Sequence, residues 1–121
     1  MKNSILDYLE KREALPIFNF EGKEYKIKKD YKITLFLQQE QQNISNKKRE
    51  DSNFNEIQAQ FNLIRKFFEM AVSKSFVDDL DKADISDNEL MFLFQFIINR
   101  RSGMSEEEAA AEALESKKKE D

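Results

Sequence analysis

Five aspartates lie close together between residues 78 and 87, in the stretch DDLDKADISD. Carboxylates at alternate loop positions are typical of an EF-hand calcium site, which also needs Gly at its sixth position and Glu at its twelfth. Counted from Asp79, the third position is Asp81, but the fifth is Ala83 and the sixth is Asp84. Because this spacing fails, we predict no metal site and expect the acids at helix ends and turns, where they favour the N-terminus of a following helix.

The residue types of most catalytic sites are missing. The chain has no cysteine and no histidine, which removes thiol chemistry, zinc–thiolate sites and the commonest general base. Its two glycines, Gly22 and Gly103, are too few for a phosphate-binding loop or a dinucleotide fingerprint. Adjacent acids such as Asp78 and Asp79 do not face each other on a helix. We therefore predict that the protein is not an enzyme and binds no cofactor.

Charge is unevenly distributed along the chain. The net charge of −4 comes entirely from the last 17 residues, which hold seven acids and three lysines, since the preceding residues are neutral. A nucleic-acid binder normally has a basic excess or a dense basic face. No apolar run approaches the roughly 20 residues of a membrane helix, and charges interrupt the first residues. The sequence predicts a soluble cytoplasmic protein that binds neither nucleic acid nor membrane.

The predicted elements begin with a short amphipathic helix over residues 4–13 and a β-hairpin over residues 17–29. A turn at Gly22 and Lys23 would place four apolar side chains on one face. Its register pairs Phe20 with Tyr25 and Phe18 with Ile27. Lysines on the other face fit either an edge strand that discourages pairing with other chains or a phosphate-binding patch. Because two strands are marginally stable alone, we expect the apolar face to pack on helices.

Helices are predicted along the rest of the chain. One runs from Tyr31, with Asp30 as its cap, to about Gln42, and the polar stretch over residues 43–53 is expected to be disordered or a long turn. Apolar residues at steps of three and four predict a long helix over residues 54–80.

Two capping boxes mark the starts of the last helices. SDNE at residues 86–89 opens a helix that ends at two arginines and Gly103, and SEEE at residues 105–108 opens an alanine-rich helix. The last helix has too little apolar content to anchor it firmly, so we expect residues 104–121 to fray or to extend from a single helical domain over residues 1–103. The predicted fold class is mainly α, with about four to six helices and one N-terminal hairpin.

Two predicted helices carry more apolar side chains than one buried face needs. On the helix over residues 54–80, a second apolar stripe lies about 120° from the first. Such a surplus indicates either a helix covered on two sides or a surface that meets another chain. For the second case we predict partner contact through five residues: Leu63, Phe67, Met70, Phe92 and Phe96.

The order of these elements resembles the tail assembly chaperones of long-tailed (siphovirus-type) phages and prophages. The hairpin ends in YKIKKDY, and the long helix leads into SKSFVDDLDKADISDNELMFLFQFIINRRSG. The matching positions run from Ile27 to Asp30, from Phe76 to Leu80 and from Ile85 to Leu90. The resemblance covers about residues 17–103, and it is a pattern of spacing rather than one diagnostic motif.

The resemblance implies a non-catalytic function. Such a chaperone coats the apolar tape measure protein, helps to recruit the tail tube protein, can form homo-oligomers, acts in the host cytoplasm and is absent from the mature virion. An alternative from the residues themselves is a small helical regulatory or adaptor protein that binds one globular partner through the Gln-rich segment 38–53. An assembly chaperone should bind an extended apolar helix in several copies, whereas an adaptor should bind its partner once.

Overall fold

A computed structural model describes residues 15–120, with side chains described for residues 15–115. Within that range the chain is mainly helical and forms five helices and one two-stranded antiparallel hairpin, so the predicted fold class is confirmed. The elements in chain order are β1 (Ile17–Phe20), β2 (Lys23–Lys26), α1 (Tyr31–Glu50), α2 (Glu56–Ala71), α3 (Lys74–Ala83), α4 (Asp87–Arg101) and α5 (Glu106–Glu120). The helix predicted over residues 4–13 lies outside the described residues.

The hairpin turns one residue earlier than the sequence predicts. Glu21 and Gly22 occupy the turn with φ angles of 50° and 78°, the pattern of a type I′ turn, whose twist suits the flanking strands. Phe18 therefore pairs with Tyr25 and not with Ile27. The predicted register was wrong by two residues. Because side chains alternate with a period of two, the shift left the same side chains on the apolar face.

The apolar face of the hairpin packs on the helices. The ring of Phe76, which is fully buried on α3, meets the rings of Phe18 and Tyr25 at centroid distances of 5.2 and 5.1 Å. It also meets the ring of Phe68 on α2 at 5.3 Å. These edge-to-face contacts suit the charge distribution of aromatic rings. The hairpin thus closes one end of the helical core, and Phe76 lies at the junction.

The first helix is longer than predicted, because α1 continues to Glu50. Polar side chains one turn apart form hydrogen bonds along it: Gln42 donates to Asn46 at 3.1 Å, and Asn43 donates to Glu40 at 3.4 Å. Ile44, the one apolar residue of the polar stretch, is buried. The prediction of disorder was therefore wrong for residues 43–50, where local bonds and packing override weak helix propensities.

The helix predicted over residues 54–80 is two helices with a break at Val72 and Ser73. The Ser73 hydroxyl accepts the N–H of Phe76 at 3.1 Å and so caps α3. The carbonyl of Ala71, at the end of α2, accepts the N–H of Lys28 at 2.7 Å. The break was missed because the apolar periodicity runs through it, although Ser73 is a recognisable cap.

The serine half of each predicted capping box is confirmed. The hydroxyl of Ser86 accepts the N–H of Glu89, and the hydroxyl of Ser105 accepts the N–H of Glu108, each at 3.2 Å. The first turns of α5 pack on α4 instead of standing away from it, because the small side chains of Ala109 and Ala113 are buried. The division of the chain at residue 103 stays a prediction.

Two arginines at the end of α4 hold the backbone around the hairpin. The guanidinium of Arg101 donates to the carbonyls of Lys28 at 3.0 Å and Asp30 at 2.9 Å. Arg100 donates to the carbonyl of Ile17 at 3.2 Å. Burial lowers the pKa of Arg101, but the pKa of an arginine is so high that the side chain stays charged. Hydrogen bonds from α4 therefore hold both the start of β1 and the segment that follows β2.

Candidate binding groove

The structure places the five predicted contact residues in or beside the core. Phe67 is fully buried, and Leu63 and Phe96 are 4% and 6% exposed. Met70 and Phe92 are partly buried against the core, and the ring of Phe92 stacks on that of Phe96 at 6.1 Å. The second apolar stripe of α2 is therefore covered within this chain, and Phe67 and Phe96 offer no surface to a partner in this conformation. A role of Phe67 and Phe96 in partner contact stays a prediction, and their buried positions do not support it.

An apolar groove lies instead between α1 and α2, with a volume of 690 Å³. We call it the α1–α2 groove. Its apolar lining consists of five residues: Phe36, Ile44, Phe54, Ala59 and Leu63. Ile44 and Leu63 are buried, yet neither belongs to the main core cluster. They form a separate apolar base beneath the groove, and of the five predicted contact residues Leu63 alone lines it.

The connection between the two helices sets the course of the groove. The N–H of Asp51 donates to the carbonyl of Lys47 at 2.9 Å and ends α1, and the side chain of Asn55 accepts the N–H of Gln58 at 3.0 Å and starts α2. A salt bridge of 2.6 Å joins Lys48 to Glu56 across the connection. So short a connection turns α2 back along α1, and the helices run antiparallel on either side of the groove.

Polar side chains complete the lining of the α1–α2 groove. Four of them are amides, Asn43, Asn55, Gln58 and Asn62, and three are charged, Glu40, Lys47 and Lys66. Gln58 donates to Asn62 at 3.2 Å within α2. The lining thus combines an apolar base with amides and a few charges.

A separate polar cluster fixes the hairpin to α3. The hydroxyl of Tyr25 donates to the carboxylate of Asp79, which also accepts from Lys23 at 3.2 Å. These hydrogen bonds lower the pKa of Asp79, and burial is the main cause that raises the pKa of Tyr25. Arg65 of α2 forms a two-pronged ion pair with Asp81 of α3. Both clusters join structural elements, so we assign them to stability.

The groove was missed in the sequence for a specific reason. Phe36, Glu40 and Ile44 follow each other at steps of four, which places them on one helical face. The stretch after Gln42 is polar, so the predicted helix ends there and leaves Ile44 out of the pattern. Extending the helix through the isolated Ile44 would have found one wall of the groove.

Comparison with known proteins identified no relative: no family model, no curated protein and no solved structure matches the chain. Within residues 15–120, no helix combines the length and the apolar character needed to cross a bilayer. The same part of the chain contains no cluster of three or more acidic side chains that could hold a metal ion.

Proposed function

We propose that this protein is a non-catalytic assembly chaperone that binds an apolar helical partner, namely the tape measure protein of a long-tailed phage or prophage. The observation that carries the proposal is the α1–α2 groove, an apolar channel between two helices of this chain. Grooves of this kind receive the apolar face of a partner helix. The phage family enters through the sequence resemblance, and the groove supplies the surface through which such a partner would bind.

Three exposed apolar side chains lie on the same pair of helices but outside the groove. Ile57 on α2 is 71% exposed, and Tyr31 and Leu35 on α1 are 69% and 47% exposed. Single exposed apolar residues are ordinary on protein surfaces. None of the three lines the α1–α2 groove, so the groove alone carries the proposal.

The proposed setting follows from the resemblance. Several copies of the protein would coat one tape measure protein in the host cytoplasm, would recruit the tail tube protein, and would leave before the virion matures. Contacts between copies would make homo-oligomers on the partner. No step in this scheme requires a catalytic group or a cofactor.

A regulatory or adaptor protein is the second candidate, and one observation favours it. Gln38, Gln41, Gln42 and Ser45 line a smaller groove between α1 and α4, with a volume of 530 Å³. This side of α1 is mostly polar and belongs to the Gln-rich segment 38–53. A single globular partner could bind there through hydrogen bonds to the amides.

The two candidates differ in the mass of their complexes. We would co-express the full chain with a long apolar helical segment of a candidate tape measure protein and measure the mass by light scattering. Several copies on one segment would support the chaperone, whereas a protein that stays monomeric and ignores the segment would favour the adaptor. A Phe67→Asp variant is unsuitable as a probe because Phe67 is fully buried. Ala59→Arg is better, since it fills the groove with a residue of good helix propensity.

A further inference from the structure

The length of the α1–α2 groove limits what it can hold. Its lining on α1 runs from Phe36 to Lys47, which corresponds to about 16 Å at a rise of about 1.5 Å per residue. That length matches roughly three turns of an α-helix. A partner helix of this length presents apolar side chains at steps of three and four, so that three or four of them can reach the apolar base.

The middle of the groove can receive a large side chain. Ala59, on the α2 wall, has the smallest side chain of the apolar lining. It lies on the same wall as Leu63, one turn away, and Ile44 forms the base from the α1 side. A leucine or phenylalanine of a partner helix therefore has room above Ala59 and apolar contact with its two buried neighbours.

The charges of the groove are arranged by position. Because the helices are antiparallel, Lys47 lies at the end near Asn55, and Lys66 lies at the opposite end, near Phe36. Glu40 of α1 also lines the groove, and Lys66 forms an exposed ion pair of 4.0 Å with Glu69 on its own helix. A bound helix therefore meets a lysine near each end of the groove, and at the Lys66 end its acidic side chain would compete with Glu69. Opposite charges at these places would fix the helix in the groove and disfavour partners with basic ends.

We propose that the α1–α2 groove binds one amphipathic helix of about three turns, whose apolar stripe packs on Ile44 and Leu63 and whose acidic side chains at each end face Lys47 and Lys66. This inference rests on the proposed function, since it names the chemistry of the segment that the chaperone recognises. Of all apolar helices, it selects those with acidic side chains at both ends as the expected partners.

The test uses the full chain and two synthetic, fluorescently labelled peptides of about 14 residues, long enough for three turns and their flanks. Both are alanine-rich with leucines at steps of three and four. One carries glutamate near each end, and the other carries lysine at the same places. Fluorescence anisotropy gives the dissociation constant of each peptide. We expect the acidic peptide to bind about tenfold more tightly and to lose affinity as salt is added.

Charge reversal locates the binding surface. Lys47→Glu and Lys66→Glu should each weaken the acidic peptide about threefold and strengthen the basic one. Lys32→Glu is the matched control, because Lys32 is an exposed lysine of α1 that does not line the groove. Ala59→Arg should abolish the binding of both peptides while circular dichroism stays unchanged. Equal binding of the two peptides, no binding of either, or equal effects of the three lysine reversals would overturn the inference.

The outcomes separate this inference from the proposed function. If the tape measure segment binds and the lysine reversals leave that binding unchanged, the function stands and the acidic-ended helix is wrong. If the acidic peptide binds with the expected charge dependence but the tape measure segment does not, the groove is assigned correctly and the phage function is wrong. If light scattering shows two copies of the protein joined through the groove without peptide, the occupant is a second copy and the inference fails.

Discussion

Tyr25 of β2 donates its phenolic hydrogen bond to Asp79 of α3, which lies 54 positions later in the chain. Lys23 donates to the same carboxylate oxygen at 3.2 Å. The two donors stabilise the charged carboxylate, with the Tyr25 hydrogen bond as the larger cause, and so hold the pKa of Asp79 below its ordinary value. A polar contact thus holds the hairpin on α3 beside the aromatic contacts of Phe76.

This contact predicts an acid dependence of stability. The pKa of Asp79 is lower in the folded chain than in the unfolded one. The contribution of Asp79 to the free energy of unfolding is therefore present above the unfolded pKa of about 3.9, and it is lost as the pH falls through the folded pKa. Asp79→Asn should lower the free energy of unfolding at pH 7, and its stability should fall less steeply in acid. Urea unfolding between about pH 7 and pH 2 measures both effects.

The control for this prediction is Asp78→Asn, which changes an exposed neighbour on the same helix. It should keep the pH profile of the unaltered protein. A profile that is the same for Asp79→Asn as for the unaltered protein would show that the hydrogen bonds to Asp79 add nothing to stability.

Asn99 is a buried polar residue whose loss should be costly. Its amide donates to the carbonyl of Ala109 at 3.1 Å and to the carboxylate of Glu112, which joins α4 to α5. Asn99→Ala leaves the Ala109 carbonyl without this donor, and we expect a loss of about 1–3 kcal/mol in the free energy of unfolding. Asn99→Asp should cost more, because it places a second carboxylate beside Glu112.

Denaturant unfolding of these variants is compared with that of Asn53→Ala, an exposed substitution outside the helices. The control should change stability by no more than about 0.5 kcal/mol. If Asn99→Ala were as stable as the control, the bonds between α4 and α5 would not contribute to the fold.

The stability of the protein should be sensitive even to a conservative substitution of Arg101. Its planar guanidinium donates to Lys28, Thr34 and Asp30 at once, at distances of 2.9 to 3.3 Å. A lysine ammonium keeps the charge but cannot span these acceptors. We predict that Arg101→Lys lowers the free energy of unfolding by about 1–2 kcal/mol and speeds amide hydrogen exchange at the start of α1. Arg49→Lys, on the exposed end of α1, should have neither effect, and equal exchange in both variants would argue against this role of Arg101.

Local signals in the sequence predicted much of this fold. The serine caps at Ser86 and Ser105 depend on residues three apart, and both serines accept the expected backbone N–H. The hairpin exists where it was predicted, but its register depended on whether Glu21 could adopt a positive φ angle. That angle is unusual for a residue other than glycine, so the sequence favoured the wrong turn.

Tertiary packing decided the features that the sequence did not predict. Helix α2 stops just before Ser73, where the N–H of Lys28 donates to the carbonyl of Ala71. This hydrogen bond joins distant parts of the chain. Whether Phe67 faces a partner or the core likewise depends on α4, whose Phe94 covers it at 5.2 Å. Helical periodicity identifies an apolar face but not what covers it.

The burial of Phe67 gives a further prediction. A carboxylate at this fully buried position would have no partner in an apolar surrounding, at a cost of several kcal/mol. We therefore predict that Phe67→Asp fails to fold cooperatively, whereas Ile57→Asp, on the exposed side of the same helix, stays folded. Thermal unfolding by circular dichroism separates the two. A folded Phe67→Asp protein would mean that the second stripe is accessible after all.

The account rests on the α1–α2 groove as the surface that binds an apolar helical partner. The most direct measurement is the mass, by light scattering, of the full chain co-expressed with an apolar helical segment of a candidate tape measure protein, with and without Ala59→Arg. The account predicts several copies of the protein on one segment, and their loss in the Ala59→Arg variant while its fold is kept. A protein that stays monomeric and ignores the segment, or one whose binding is unaffected by Ala59→Arg, would contradict it.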